Sequence, residues 1–298
     1  MTTLSVVVPA YNEEAYLPAC LDSLLRQTRP IDEIIVVDND SSDATGDVAR
    51  RYARDYPNIR VVHESRPGVA SARRCGFDQA TSGIIAKIDA DSLPAPSWAA
   101  EVVGFFDSER GREYAAMSGL VLISDGPAPR FERWFAELGA RKYPDGAPLG
   151  GGLHGPNYAL RASAWVTVRD TTIDDDAVWE DFDIGLALSD HGLTKYYVPG
   201  AEVFSSCRRL RHSPWSNWHY LRGGIRTARA RNHERAITVM SRDFPVRLLT
   251  FTGMWLLFRP WDNEKKNWRP HRLFTRLDRA RPLDADRHAA AESELRTA

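Results

Sequence analysis

Cysteine is scarce and scattered, with only Cys20, Cys75 and Cys207 in 298 residues. An odd number at such separations excludes a disulfide framework, and no pair has the spacing of a metal-ligand set. Idle thiols in a reducing compartment are therefore expected. No glycine-rich fingerprint follows the first apolar strand pattern, which removes the main support for a nicotinamide site, and no Walker-type loop is present. The apolar stretch from Val246 to Phe258 is about thirteen residues, against the roughly 20 a helix needs to cross a bilayer. Met1-Thr2-Thr3 runs straight into an apolar strand with no basic region or cleavage site, so no signal peptide is expected. A cytoplasmic location, peripheral at most to the membrane's inner face, is the corresponding expectation.

Net charge is also nearly missing, at −1, but its distribution is uneven. Residues 1–205 carry 19 Lys and Arg against 31 Asp and Glu; residues 206–298 carry 20 against 9. An acidic body suggests a metal or cationic site. A basic extension suggests a surface for phosphates or anionic lipid, or one that packs on the acidic body. No nucleic-acid partner is expected.

What is present alternates between strand and helix. Leu4–Pro9, Ile34–Asp38, Ile59–Val62 and Ile84–Ile88 are short, β-branched apolar runs, the mark of strands buried within a sheet. Helical patterns follow the first three: one with apolar Leu17, Cys20, Leu21, Leu24 and Leu25, one ending near Asp55, and one from Gly68. This order predicts an α/β fold with a doubly wound, mostly parallel sheet. Ligands of such sheets bind beyond the carboxyl ends of the strands, where Asp38, Asp89 and Asp91 fall. Asp89 and Asp91 close the fourth strand one residue apart, before Leu93-Pro94-Ala95-Pro96. Two readings stay open for the pair on its own: turn caps for the backbone, or ligands of a hard divalent cation that leaves places for substrate phosphates.

The segments Val7–Glu14, Ile35–Asp43, Arg66–Arg73 and Asp89-Ala90-Asp91, in this order, resemble the catalytic domain of glycosyltransferase family 2, the inverting enzymes of GT-A fold. The resemblance covers about the first 205 residues and implies a nucleotide-sugar-binding half to about residue 100, an acceptor half over 101–205, and a helical, basic extension over 206–298. It implies that Pro9, Ala10, Tyr11, Glu13, Asp38, Arg66, Arg73 and Asp89 hold the nucleotide, and that Asp91, with Asp89, binds Mn²⁺ or Mg²⁺. Tyr11 suits stacking on a base, Glu13 a ribose hydroxyl, Asp38 the uracil imide and Arg73 the base or a phosphate. Arg74 stands where the family more often has asparagine.

In the acceptor half, Ala115–Ile123 is expected to be a strand and Phe131–Arg141 a helix. The segment Gly150–Arg161 resembles the family's glycine-rich loop, which implies that Gly152, His154 and Asn157 face the donor or acceptor sugar. Glu180-Asp181 heads an amphipathic helix and matches the family's acidic pair; Asp181, flanked by Glu180, is the expected base. Asp174–Asp176 is expected to be a solvated run, and Lys195–Pro199 and Ala201–Phe204 two closing edge strands. Arg208, Arg209, Arg211, His212, Trp215, Trp218, His219, Arg222 and Arg226 form a basic, aromatic-interleaved stretch. It lacks the Gln-x-x-Arg-Trp signature of processive synthases, which favours single-sugar transfer. From Arg279 the chain is expected to be a polar helix or partly disordered tail.

The expected partners are a nucleotide-sugar donor and a hydroxyl acceptor (glycan, lipid or small molecule). Membrane contact through 206–268 and a homodimer are further candidates. A phosphoryl- or nucleotidyl-transferring α/β enzyme competes with this assignment, though Ser92-Leu93-Pro94 lacks the Thr or Gly-Thr such sites use. A catalytically silent sugar- or lipid-binding protein of the same fold is the third option.

Overall fold

The computed structural model describes residues 2–127, 141–175, 177–262 and 265–275. The helix expected from Phe131 falls outside the described residues except at Arg141, as do Asp176 and the end from Arg279.

The first strands are β1 (Leu4–Ala10), β2 (Glu33–Asp38), β3 (Ile59–His63) and β4 (Ile84–Ile88). Then come β5 (Ser92–Pro94), β6 (Ala116–Ile123), β7 (Ala147–Leu149), β8 (Asn157–Arg161) and β9 (Lys195–Ser205). Among the described residues they form one sheet in the order β3-β2-β1-β4-β8-β6-β9-β5, with β7 also on β9. The pairings β1–β2, β1–β4, β2–β3 and β6–β9 are parallel, while β8, β5 and β7 run antiparallel to their neighbours. Most strands thus share one direction, as the alternating pattern predicts.

Helices cover both faces because side chains alternate along a strand. Val6 and Val8 of β1 pack with Leu17, Leu21 and Leu24 of α1 (Leu17–Leu25), Ala49 of α2 (Thr45–Asp55) and Trp98 and Val102 of α4 (Trp98–Asp107). Val7 points the other way. It joins Ala72 and Phe77 of α3 (Val69–Gln79), Trp165 and Val168 of α5 (Ala162–Val168), and Ile184 and Leu188 of α6 (Glu180–Asp190).

One strand differs from expectation. Lys195–Ser205 is a single strand inside the sheet, paired with β6 on one side and with β7 and β5 on the other. Its register jumps from Gly119↔Val198 to Leu120↔Glu202, so Pro199, Gly200 and Ala201 bulge out and split the sequence pattern. Gly119 permits this, since a Cβ there would stand 2.0 Å from the Ala201 carbonyl oxygen.

The extension is built onto the body. It contains α7 (Trp218–Leu221), α8 (Gly223–Ala230) and the 25-residue α9 (Glu234–Phe258). Phe182 and Leu186 of α6 cluster with Ala228 and Ala236. Arg231 Nε donates to the fully buried Asp183 at 2.6 Å. No described helix is long and apolar enough to cross a membrane.

Candidate active site

The carboxyl ends of β1, β2 and β4 lie side by side, and the polar residues beyond them line one cleft edge. Pro9 and Ala10 pair with Val37 and Asp38 across β1–β2. Beyond Ala10 the chain turns at half-buried Tyr11 and at Asn12, whose φ of 53° is a left-handed conformation that asparagine tolerates. Asn12 Oδ1 accepts from Ser42 N at 2.9 Å, and Glu13 N donates to Thr45 Oγ1 at 2.7 Å. The β1 loop is thereby pinned to the start of α2.

Asp38 is buried at the end of β2 and accepts from Ser41 N at 3.1 Å. Gly46 leaves room for it, because a Cβ there would stand 2.6 Å from Asp38 Oδ2. Asn39 is a clamp: its Nδ2 donates to the carbonyls of Glu64 and Arg66, and its Oδ1 accepts from Gly68 N. Arg66 is largely exposed and pairs with Glu64 and, at 2.8 Å, with Asp174. Asp174 also accepts from Ser71 Oγ at 2.7 Å, so it is engaged rather than merely solvated.

Asp89 and Asp91 fall in the turn after β4, where Ser92 N donates to the Asp89 carbonyl at 2.9 Å. Asp91 is largely buried and pairs with Arg208 Nε at 2.8 Å, and the same guanidinium is bonded to Glu13. Burial pushes the Glu13 carboxyl up to about 7; Arg208 opposes that shift, while Asp91 and Asp89 add to it. Burial likewise raises Asp91, with Arg208 lowering and Asp89 raising it. Arg208 lies 4.8 Å from the centre of the Tyr16 ring. It belongs to the basic stretch noted in the sequence, but nothing local marks it out from Arg209 or Arg211.

Lys87 is the residue the sequence hides best, a lone cation in an apolar strand. Its buried Nζ sits 2.7 Å from Asp89 Oδ1, 2.8 Å from Glu180 Oε1 and 2.9 Å from the Gly155 carbonyl. Burial alone would lower its pKa, but Asp89 and Glu180 hold the ammonium above its usual range. Glu180 also accepts from Tyr158 Oη at 3.2 Å and lies 3.7 Å from Arg73 Nε.

Asp181, next in the chain, is only half-buried. Its Oδ1 accepts from Phe182 N at 2.8 Å. Burial, reinforced by the like charge of Glu180, raises its carboxyl to about 7, against the pull of Lys87 and of the Phe182 and Gly155 backbone. That value suits a group that takes a proton near neutral pH.

Asn157, Gly152 and Arg73 pack against other parts of the protein. Asn157 does not face the cleft: it is fully buried, accepting from Trp98 Nε1 and donating to the Leu120 and Ala201 carbonyls. It ties β8 to its neighbours. Gly152 lies against α6, where a Cβ would meet Phe182 at 2.7 Å. Arg73 is 1% exposed, packed over Trp165 and beside Glu180. His154 is exposed, with its ring Nδ1 3.1 Å from the Gly119 carbonyl.

The sequence matches the model of glycosyl transferase family 2 over residues 5–144 and that of glycosyl transferase family group 2 over residues 84–258. The chain belongs to glycosyltransferase family 2. Among curated family relatives, the probable glycosyltransferase YdaM of Bacillus subtilis is 27% identical over 66% of this chain and 49% of its own. The uncharacterized glycosyltransferase EpsJ of the same organism is 41% identical over 30% of this chain and 26% of its own. The chain thus spans less than half the length of these relatives. In structure it is similar to the mannosyltransferase PcManGT of Pyrobaculum calidifontis, in complex with GDP-Man and Mn²⁺ (TM-score 0.58, 22% identity, 85% of this chain and 74% of that one). It is also similar to GalNAc-T7 with UDP, GalNAc and Mn²⁺ (TM-score 0.55, 16% identity, 69% and 43%). The shared fold is GT-A.

Family 2 membership raises the question of a divalent cation, and the donor-side residues fit one. Glu13 Oε2 is buried without a hydrogen-bond partner, and Glu13 and Asp91 share the single guanidinium of Arg208. Among the described residues no group of three or more His, Cys, Asp or Glu forms a ready-made cage. An open site of one or two carboxylates, completed by donor phosphates, is the arrangement Mg²⁺ and Mn²⁺ favour with nucleotides.

Proposed function

We propose that this chain is an inverting glycosyltransferase that moves one sugar from a nucleoside diphosphate donor, UDP-linked in the leading version, to a hydroxyl acceptor. The observation that carries it is the coupling of Asp181 to the donor side through Lys87: a carboxyl poised near neutrality stands beside Glu180, and Lys87 holds Glu180 to Asp89. Asp181 takes the proton of the acceptor hydroxyl as its oxygen attacks the anomeric carbon, while the bond from that carbon to the diphosphate oxygen breaks on the opposite face. Glu180, spent on Lys87, Arg73 and Tyr158, positions Asp181. Asp38, Glu13 and Tyr11 are placed to receive base and ribose. Asp91, with Asp89 and Glu13 nearby, would hold Mn²⁺ or Mg²⁺, which neutralises charge on the departing diphosphate when bound.

Two relatives in fold, bound to GDP-Man or UDP with Mn²⁺, support the donor class. The phosphoryl-transfer alternative is weakened by Ser92-Leu93-Pro94, which forms strand β5 where such sites use Thr or Gly-Thr. The test is a panel of UDP- and GDP-sugars with Mn²⁺ or Mg²⁺, read as released nucleoside diphosphate. Metal-dependent release lost in Asp91→Asn is expected. Neither turnover nor nucleotide binding across the panel would remove the proposal, and binding without turnover would favour the silent protein.

A further inference from the structure

Helix α9 carries an apolar stripe on its outer side. Phe251 and Phe258 are buried against the protein, whereas Val246 (61% exposed), Leu249 (74%), Leu256 (50%) and Leu257 (44%) face outward. Their spacing of three, seven and one residues keeps them on one helical face, with Gly253 among them. No charged residue occurs from Leu248 to Phe258. By the end of this helix, Phe274 is 90% exposed, where Arg259 holds the carbonyls of Arg272 and Thr275.

We infer that this face of α9 seats on the surface of a bilayer containing anionic lipid. The thirteen mostly apolar residues from Val246 to Phe258 give a helix of about 20 Å, short of the roughly 30 Å hydrocarbon core, so the segment lies in the interface rather than spanning it. Charge selects the partner. Residues 206–275 carry 15 Lys and Arg against 4 Asp and Glu, with exposed Arg235, Arg242, Lys265 and Lys266 on α9 and just beyond it. A second copy docking by twofold symmetry would set this patch against itself, like charge on like. An anionic leaflet presents the opposite sign and attracts cations that lie near it.

The experiment is flotation of the full chain with vesicles of phosphatidylcholine alone and of phosphatidylcholine with about one third phosphatidylglycerol, alongside light scattering over a range of protein concentration. Flotation with the anionic vesicles is expected, weaker with neutral ones. In Leu249→Glu/Leu256→Glu the bound fraction should fall about tenfold or more. Both positions are exposed, so the variant folds, as circular dichroism and Tm would verify. No flotation of the wild type overturns the inference, as does a concentration-dependent dimer abolished by the double variant. Flotation unaffected by the double variant and fully reversed by salt overturns it too, because adsorption would then run through arginines alone. The inference stands or falls independently of the sugar-transfer chemistry.

Discussion

Lys87 Nζ lies within 2.8 Å of both Asp89 and Glu180, so one buried ammonium joins a strand-end acid to the residue beside Asp181, the proposed base. Replacing it with Met leaves Glu180 buried with Arg73 Nε 3.7 Å away and one phenol. Removing one partner of a buried pair costs about 3–5 kcal/mol. Lys87→Met is therefore expected to lower stability by that order in urea denaturation, and Glu180→Gln in the same chain should restore part of it.

Asp181 carries a sign that can be read twice. Its folded value near 7 lies above the roughly 3.9 of an unfolded aspartate, so the native state binds the proton more tightly. Stability from this group therefore falls as pH rises from about 4 to about 7, while the proton-accepting form grows in over the upper part of that window. kcat/KM is expected to rise through pH 7. Asp181→Asn should cut turnover about 10²–10⁴-fold with nucleotide binding little changed. The same variant should raise Tm at pH 8, by an amount that shrinks as pH falls towards 4. A Tm lower than wild type at pH 8 would show that burial does not penalise the carboxylate.

Arg208 occupies the acids proposed to hold a cation. Its bonds to Asp91 and Glu13 compete with any cation for those carboxylates, and hydrogen bonds to charged groups are worth about 1.5–3 kcal/mol. Arg208→Ala is expected to tighten Mn²⁺ binding in the absence of donor by about tenfold or more, read from the free Mn²⁺ signal in electron paramagnetic resonance. Unchanged affinity would mean that Arg208 and the ion do not compete.

Gly185 of α6 touches the loop of Gly151 and Gly152, and a Cβ there would stand 2.5 Å from Gly152 Cα. The obstacle is backbone, so it cannot rotate away. Gly185→Ala should cost about 1–3 kcal/mol. It should also lower kcat more than donor binding, because the displaced loop carries Gly155 against Asp181.

Local pattern makes the first hundred or so residues legible. β1 to β4 and the helices between them follow from β-branched runs and turn chemistry, and strand-end acids fall where a parallel sheet leaves its cleft. The residues from about 101 onward are less transparent because their contacts join distant segments. Asn157 looks like a cleft residue in sequence, yet its side chain bonds to β6, β9 and Trp98. The bulge in β9 breaks one strand into two patterns. Lys87 and Arg208 acquire their meaning only through partners 93 and 195 positions away, Glu180 and Glu13, which no periodicity reports.

The ion pair between Arg231 and Asp183 has a consequence for how the protein can be divided. Asp183 is fully enclosed in the helix that begins with Glu180 and Asp181, and Ile173 N and Arg231 satisfy its carboxylate. A chain cut after Ser205 would strand that negative charge in an apolar interior and lay bare Phe182 and Leu186. Residues up to Ser205 and the basic extension are therefore expected to unfold as one cooperative unit.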